Sequence, residues 1–259
     1  MISTASGDAQ KLSYTSDNGY GGGPSIGVVV LSTDETLEPE FRQISSDPVA
    51  SFYHSRIPFD PVVTKETLAR MEAELPASLA LFTPQINFGA IGYGCTSGAT
   101  IIGPDRIASI VQSVFPKAAV TDPVRAVVAA CKHLGVSRLG MLTPYSLEVS
   151  AAMQALLETY GLTISSFATF DEKKDHKVAR ISEQSVYEAM LAVGKSDCDI
   201  VFASCTSLRC FGVIEQAEQV LGKPVISSNS AFAWHLHQLA GVVNRVNGPG
   251  CLFDPQTGE

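Results

Sequence analysis

Two places in this chain put Cys-Thr-Ser directly after an apolar run. The first lies within residues 89–103 (GAIGYGCTSGATIIG) and carries Cys95, Thr96 and Ser97. The second follows DIVFAS at 199–204 and carries Cys205, Thr206 and Ser207. A thiol at the carboxyl end of a buried strand lies on the edge where open α/β sheets bind ligands. A helix start beside it holds anions and lowers a thiol's pKa. The hydroxyls of Thr96, Ser97 and Thr206 add donors. Either cysteine alone is read equally well as a small residue packing a crowded turn. A pair at matching places reads differently: one sulfur removes a proton or attacks as a thiolate, and the other serves as the matched acid.

The pairing rests on an internal repeat. Cys95-Thr96-Ser97 and Cys205-Thr206-Ser207 are 110 residues apart, and so are Thr33 and Thr143, and Leu37-Glu38 and Leu147-Glu148. At equivalent turns one half offers Thr33 and Asp34, the other Thr143, Pro144 and Tyr145. Hydroxyls at a strand's carboxyl edge suit a small carboxylate, and helix capping is a compatible second role for the same residues. Arg56 is a candidate carboxylate clamp, although a solvated or intersubunit arginine fits the same position. Asn229 reads equally as an N-cap. The five His have no ligand spacing, and His235 and His237 beside Trp234 read as packing residues. The charged run 171–177 (DEKKDHK) reads as a solvated connection, and Cys131, Cys198, Cys210 and Cys251 as structural thiols.

Strand–helix alternation must position these groups. Apolar, β-branched runs at 26–31, 49–57, 86–93, 138–142, 163–167, 199–203 and 224–226 read as strands, the first continuous enough to be buried on both faces. Helical patterns fall near 36–45, 64–80, 105–115, 123–134, 146–160, 182–194, 207–221 and 230–240. The expected fold class is α/β, two pseudo-symmetric subdomains of parallel sheet flanked by helices, with the site in the cleft between them. The expected layout is a flexible tail at 1–24, a first subdomain at 25–120, a second at 121–241 and a tail at 242–259. The helix at 123–134 and the last helix are candidates to cross over.

Composition narrows the function. The 259 residues carry 18 basic and 26 acidic side chains, a net charge of −8 with no basic cluster, which argues against nucleic acid. No apolar run reaches the length of a membrane span, and the first residues lack a signal-peptide pattern. A cytoplasmic location is expected, with the six cysteines as free thiols. Charged residues make up 17%, below the typical value of about 25%, which fits a large interior or a surface partly hidden by self-association, and a homo-oligomer is expected. No Cys/His group has metal spacing, and Gly92-x-Gly94-x-x-x-Gly98 has the wrong spacing for a dinucleotide loop. No cofactor and no metal are expected.

Gly92-Tyr93-Gly94-Cys95-Thr96-Ser97-Gly98 and Ser204-Cys205-Thr206, with Thr143-Pro144-Tyr145 in support, resemble the aspartate/glutamate racemase superfamily. The resemblance covers roughly residues 26–241. It is to the branch of maleate cis-trans isomerases, arylmalonate decarboxylases and ectoine-utilization proteins. It implies cofactor-independent catalysis in which Cys95 attacks the double bond, Cys205 handles the proton, and Tyr145 binds a substrate carboxylate. Decarboxylases of the branch place Gly at the first cysteine, whereas this chain has Cys at both positions. Maleate isomerases place a carboxylate-binding Asn where this chain has Asp34, and an Asp there repels a carboxylate and attracts an ammonium. LSTDETLE, YHSRIP, TKETLARMEAELP, SSNS and AWHLHQLAG look most like the ectoine-utilization members. The resemblance thus implies a racemase or isomerase of a small amino- or dicarboxylic acid, with epimerisation of a diaminobutyrate derivative in ectoine breakdown as the sharpest form. Maleate isomerisation, arylmalonate-type decarboxylation and a non-catalytic amino-acid-binding protein are the alternatives.

Overall fold

The computed structural model of the chain describes residues 11–17, 22–60, 62–242 and 245–256. The elements run β1 (Ser25–Leu31), α1 (Leu37–Phe41), β2 (Ser45–Ser46), β3 (Ser51–Ile57), α2 (Lys65–Leu79), β4 (Phe88–Gly94), α3 (Thr96–Ile102), α4 (Pro104–Val114) and β5 (Ala119–Thr121). The chain continues with α5 (Pro123–His133), β6 (Arg138–Thr143), α6 (Leu147–Thr159), β7 (Thr163–Thr169), α7 (Asp175–Val178), α8 (Glu183–Gly194) and β8 (Ile200–Ala203). It ends with α9 (Ile214–Leu221), β9 (Val225–Ser227), α10 (Ser228–Leu239) and β10 (Val246–Asn247).

Two four-stranded parallel sheets form, ordered β3-β1-β4-β5 and β7-β6-β8-β9. Within each, the strands follow the chain order second, first, third, fourth. The repeat read at a 110-residue offset is therefore a repeat of topology, and the α/β class with parallel sheets flanked by helices is the one found. In this order the crossover reverses direction between the first and third strands, and such a switch point opens a crevice at the strands' carboxyl ends. The first crevice lies between β1 and β4 (Val30 opposite Gly94), the second between β6 and β8 (Leu142 opposite Ala203).

The central strands are buried on both faces, as the run Ile26–Leu31 requires. Helix starts follow their caps: Asp122 accepts the Val124 and Arg125 N–H groups at 2.9 and 3.1 Å, and Pro123 fills the first turn of α5. The last helix, α10, follows the second sheet but packs on β4 and β5 of the first and against α5. Gly92 permits this approach, because a Cβ there would collide with the Phe232 ring.

Several boundaries differ from the sequence pattern. Residues 96–114 form two helices, broken at Gly103 (φ 92°), a conformation suited to glycine. β5 is too short to read as a strand. Residues 246–253 are anchored, β10 pairing antiparallel with β2 and Leu252 buried below. The expected N-terminal tail falls partly outside the described residues, and its described parts, 11–17 and 22–24, form no helix or strand. The helix expected to begin near Ser207 starts only at Ile214, after a short 3-10 turn at Phe211–Val213. No helix among the described residues is long and apolar enough to cross a membrane.

Candidate functional site

Cys95 leaves the end of β4 and caps α3. Its sulfur accepts the Gly98 N–H at 3.2 Å and lies 3.7 Å from the Ser97 hydroxyl. A Cβ at Gly98 would run into that sulfur and the Tyr93 hydroxyl. Cys205 leaves the end of β8 differently. It lies outside any helix, its φ is 129°, and its sulfur accepts the Ser207 N–H at 3.4 Å. The helix cannot start there because Glu40, far away in sequence, takes the N–H groups of Cys210 and Phe211 at 2.7 and 3.0 Å. The two cysteines thus share a topological place but not a local conformation.

One hydroxyl joins the two turns. Ser228 Oγ accepts from the Thr96 hydroxyl at 2.8 Å and from the Cys205 N–H at 2.9 Å. Around it, the Thr36 hydroxyl donates to the Ser207 carbonyl at 2.9 Å, and the Thr206 hydroxyl to the Gly94 carbonyl at 3.4 Å. Asn229 donates to Glu40 at 2.7 Å and to the Thr206 carbonyl at 2.8 Å. Tyr145, buried after β6, directs its hydroxyl to the Cys205 thiol and lies within the electrostatic reach of Cys95. The structure therefore brings together Cys95, Thr96, Ser97, Tyr145, Cys205, Thr206 and Asp34.

Two expected groups behave otherwise. Arg56 does not line this group. Its guanidinium donates to the Leu31 and Asp34 carbonyls at 2.8 and 3.0 Å and pairs with Glu38, bracing the turn from behind. Thr33 gives its hydroxyl to Asp175 at 2.7 Å. That contact corrects the reading of 171–177 as a solvated connection: Asp175 is 4% exposed, begins α7 and also accepts the Ser207 hydroxyl at 3.0 Å. Charge density in the run masked it, because five of its seven residues do point outward. Ser228 and Glu40 were missed as well, since Thr96, the partner that makes Ser228 a bridge, and all of Glu40's partners lie more than 100 residues away. Only a three-dimensional arrangement marks them.

Burial governs the electrostatics. Cys95 is 2% exposed, and burial pushes its thiol up to about 12. The Gly98 N–H and Ser97 hydroxyl pull it down, while Asp175 and Asp34 add to the rise. Cys205 is raised further, by burial first and then by Asp175, against the pull of the Tyr145 hydroxyl. The expected lowering by helix starts is outweighed, and both sulfurs hold their protons at neutral pH in this closed arrangement. Asp34 is raised to about 6 by burial, and its N–H bonds from Leu37 and Thr36 pull the other way. Its Oδ1 takes both of those bonds, at 2.7 Å each, so it caps α1. Its Oδ2 is buried without a formed hydrogen bond; the nearby Thr206 hydroxyl is engaged with Gly94. Two thiols, a phenol and hydroxyls from two crevices can move protons to and from a small molecule held between them.

The comparisons agree with this architecture. Residues 107–253 match the arylmalonate decarboxylase family model, more than half of the chain. A maleate isomerase of Nocardia farcinica is 28% identical over 241 residues, covering 88% of this chain and 94% of that protein. An arylmalonate decarboxylase of Bordetella bronchiseptica is 28% identical over 132 residues, half of this chain and 55% of that protein. Among solved structures, a Nocardia farcinica maleate cis-trans isomerase variant with a covalently bound succinylcysteine intermediate superposes with a TM-score of 0.83. It is 24% identical, over 91% of this chain and all of that one. A Pseudomonas putida S16 maleate isomerase with maleate gives 0.80 at 20% identity, over 91% of this chain and 99% of that one.

Proposed function

This chain belongs to the arylmalonate decarboxylase family, and we propose that it is a cofactor-independent isomerase whose Cys95 and Cys205 act as a pair on a small amino- or dicarboxylic acid. The observation that carries the reading is the Thr96–Ser228–Cys205 link, which holds two thiols from two switch points on one hydrogen-bonded bridge. Of the hydroxyls expected to meet the substrate's carboxylate, Thr96 and Thr206 already donate to Ser228 and to the Gly94 carbonyl, which leaves Ser97 and Tyr145 beside the thiols for that role, and Asp34 reads its other end.

In a racemisation one of the two thiols first gives its proton to solvent, and the pair then works with one proton shared between two sulfurs. The thiolate of one cysteine takes the Cα proton and becomes a thiol. The other thiol gives its proton to the opposite face and becomes the thiolate. One C–H bond breaks, one forms, and the negative charge moves from one sulfur to the other. In cis-trans isomerisation the thiolate instead adds to a C=C carbon while the second thiol protonates its neighbour. Rotation about the new single bond and reversal of both steps release the product. The sharper form of the proposal is epimerisation of a diaminobutyrate derivative in ectoine breakdown, supported by the LSTDETLE and SSNS strings and by an acidic group at position 34. Maleate isomerisation is the second reading, favoured by the names of the relatives.

Deuterium wash-in from heavy water tests it. Diaminobutyrate derivatives, aspartate and glutamate are followed at Cα, and maleate by formation of fumarate. Exchange or conversion in one of these, lost in Cys95→Ser, is the expected result. Tight binding of an amino acid with neither exchange nor conversion would overturn the isomerase in favour of a binding protein.

A further inference from the structure

The two thiols share their surroundings with two carboxylates that have no basic partner. Asp34 reaches in from the turn after β1, and Asp175 from the start of α7 in the other half. Each raises the negative potential at Cys95, and Asp175 raises Asp34 itself, so the carboxylates stand close enough to repel. Among the described residues neither forms an ion pair; Arg56 spends its guanidinium on carbonyls and Glu38. Asp175 holds one hydroxyl per oxygen, Thr33 on Oδ2 and Ser207 on Oδ1, and keeps lone pairs free on both. Asp34 Oδ2 is buried with no formed hydrogen bond. Burying two like charges together without a counterion is costly, and a ligand cation removes the cost.

We propose that Asp34 and Asp175 form an acidic subsite that takes a substrate ammonium, one carboxylate from each half, which makes the substrate class a small amino acid and excludes dicarboxylates that lack an amino group. The assignment rests on the two-cysteine site being where substrate binds. An ammonium carries three N–H donors. One meets the open Oδ2 of Asp34, and the others meet the free lone pairs of Asp175. Maleate in the same place would put four carboxylates together. The subsite also spans the cleft, so the cation draws the two halves onto each other. Asp175 extends the recognition expected of Asp34 alone, and it lies in a run whose charges all looked solvated.

Calorimetric titration of the Cys95→Ser protein, which leaves chemistry out, tests this with four probes: L-2,4-diaminobutyrate, L-2-aminobutyrate, L-aspartate and maleate. The expected order places diaminobutyrate first and maleate last. Asp34→Asn and Asp175→Asn, each made in that background, should weaken the two aminobutyrates at least tenfold relative to maleate. A general loss of structure would weaken all four probes alike, so the ratio is the readout. Maleate binding as tightly as the aminobutyrates, or a ratio unmoved by both substitutions, would overturn the subsite. Turnover plays no part in this measurement. Absence of both deuterium exchange and conversion would sink the isomerase and leave the subsite standing, whereas exchange with an unmoved ratio would do the reverse.

Discussion

A hydroxyl in place of either site sulfur keeps the shape and removes the acidity and nucleophilicity. Cys95→Ser and Cys205→Ser should therefore fold normally and lose turnover by about 10²- to 10⁴-fold each. Cys131→Ser, in the middle of α5 and away from both crevices, should retain it. Steady-state kinetics on a substrate identified by deuterium exchange decide the point, and a Cys205→Ser enzyme with near-normal turnover would refute the pair. Cys205 carries a second signature, its φ of 129°. A side chain there is held in a region that favours glycine, at a cost of about 1–3 kcal/mol. Cys205→Gly should therefore unfold at higher denaturant than Cys205→Ala, reversing the usual order of the two residues. Equal midpoints, or Ala above Gly, would mean the turn relaxes once the thiol is gone.

The short helix α1 shows how an element can be set by a partner the local sequence does not contain. Glu40 is buried, accepts N–H groups from Cys210, Phe211 and Asn229, and is raised to about 7 by burial. In the unfolded chain it titrates near 4.5. Between those values the folded protein holds a proton that the unfolded chain has lost, so rising pH favours unfolding. The stability of the native protein relative to Glu40→Gln should be greatest below pH 4.5 and fall by about 3 kcal/mol as pH rises to about 7. Above that it should be flat. Thermal unfolding of both proteins from pH 4.5 to 8 measures this, and a pH-independent difference would show that Glu40 stays ionised. The same element marks what could be read in advance. Buried β-branched runs such as 26–31 and the repeated Cys-Thr-Ser turns were legible because their signals are local. The irregular path from Thr206 to Cys210 was not, since Glu40 supplies from 170 residues away the acceptors that a helix would have provided. Asp175 was hidden similarly: its neighbours are solvated, and only the folded chain brings Thr33 and Ser207 to it.

Across the whole molecule, the base and the mouth of the cleft are held by different kinds of contact. At the base, Thr96, Ser228, Thr36 and the Glu40–Asn229 pair tie the halves through buried hydrogen bonds. At the mouth, the Val63 N–H reaches the Lys173 carbonyl at 3.1 Å beside an isolated Val62–Lys174 bridge. Two ion pairs flank it, Arg180–Glu35 at 2.7 Å and Lys65–Glu148 at 3.1 Å, between exposed side chains. Exposed pairs of this kind contribute about 0–1 kcal/mol each. Cys95 and Cys205 are 2% and 4% exposed, so a substrate reaches them only if the halves part. Because the contacts at the mouth are the weaker ones, that parting is expected there, with the base as its pivot. Opening of the mouth should be a local event of much lower free energy than global unfolding. Native-state hydrogen exchange reads it directly. The Val63 amide should exchange orders of magnitude faster than the amides of Val29 in β1 or Leu142 in β6. A saturating amino acid should slow Val63, and it should slow the two strands by a similar factor, because the ligand is lost both in the local opening and in global unfolding. A Val63 amide as protected as Val29 in the free protein would mean that the cleft opens only with the whole fold, and the pivot would have to be abandoned.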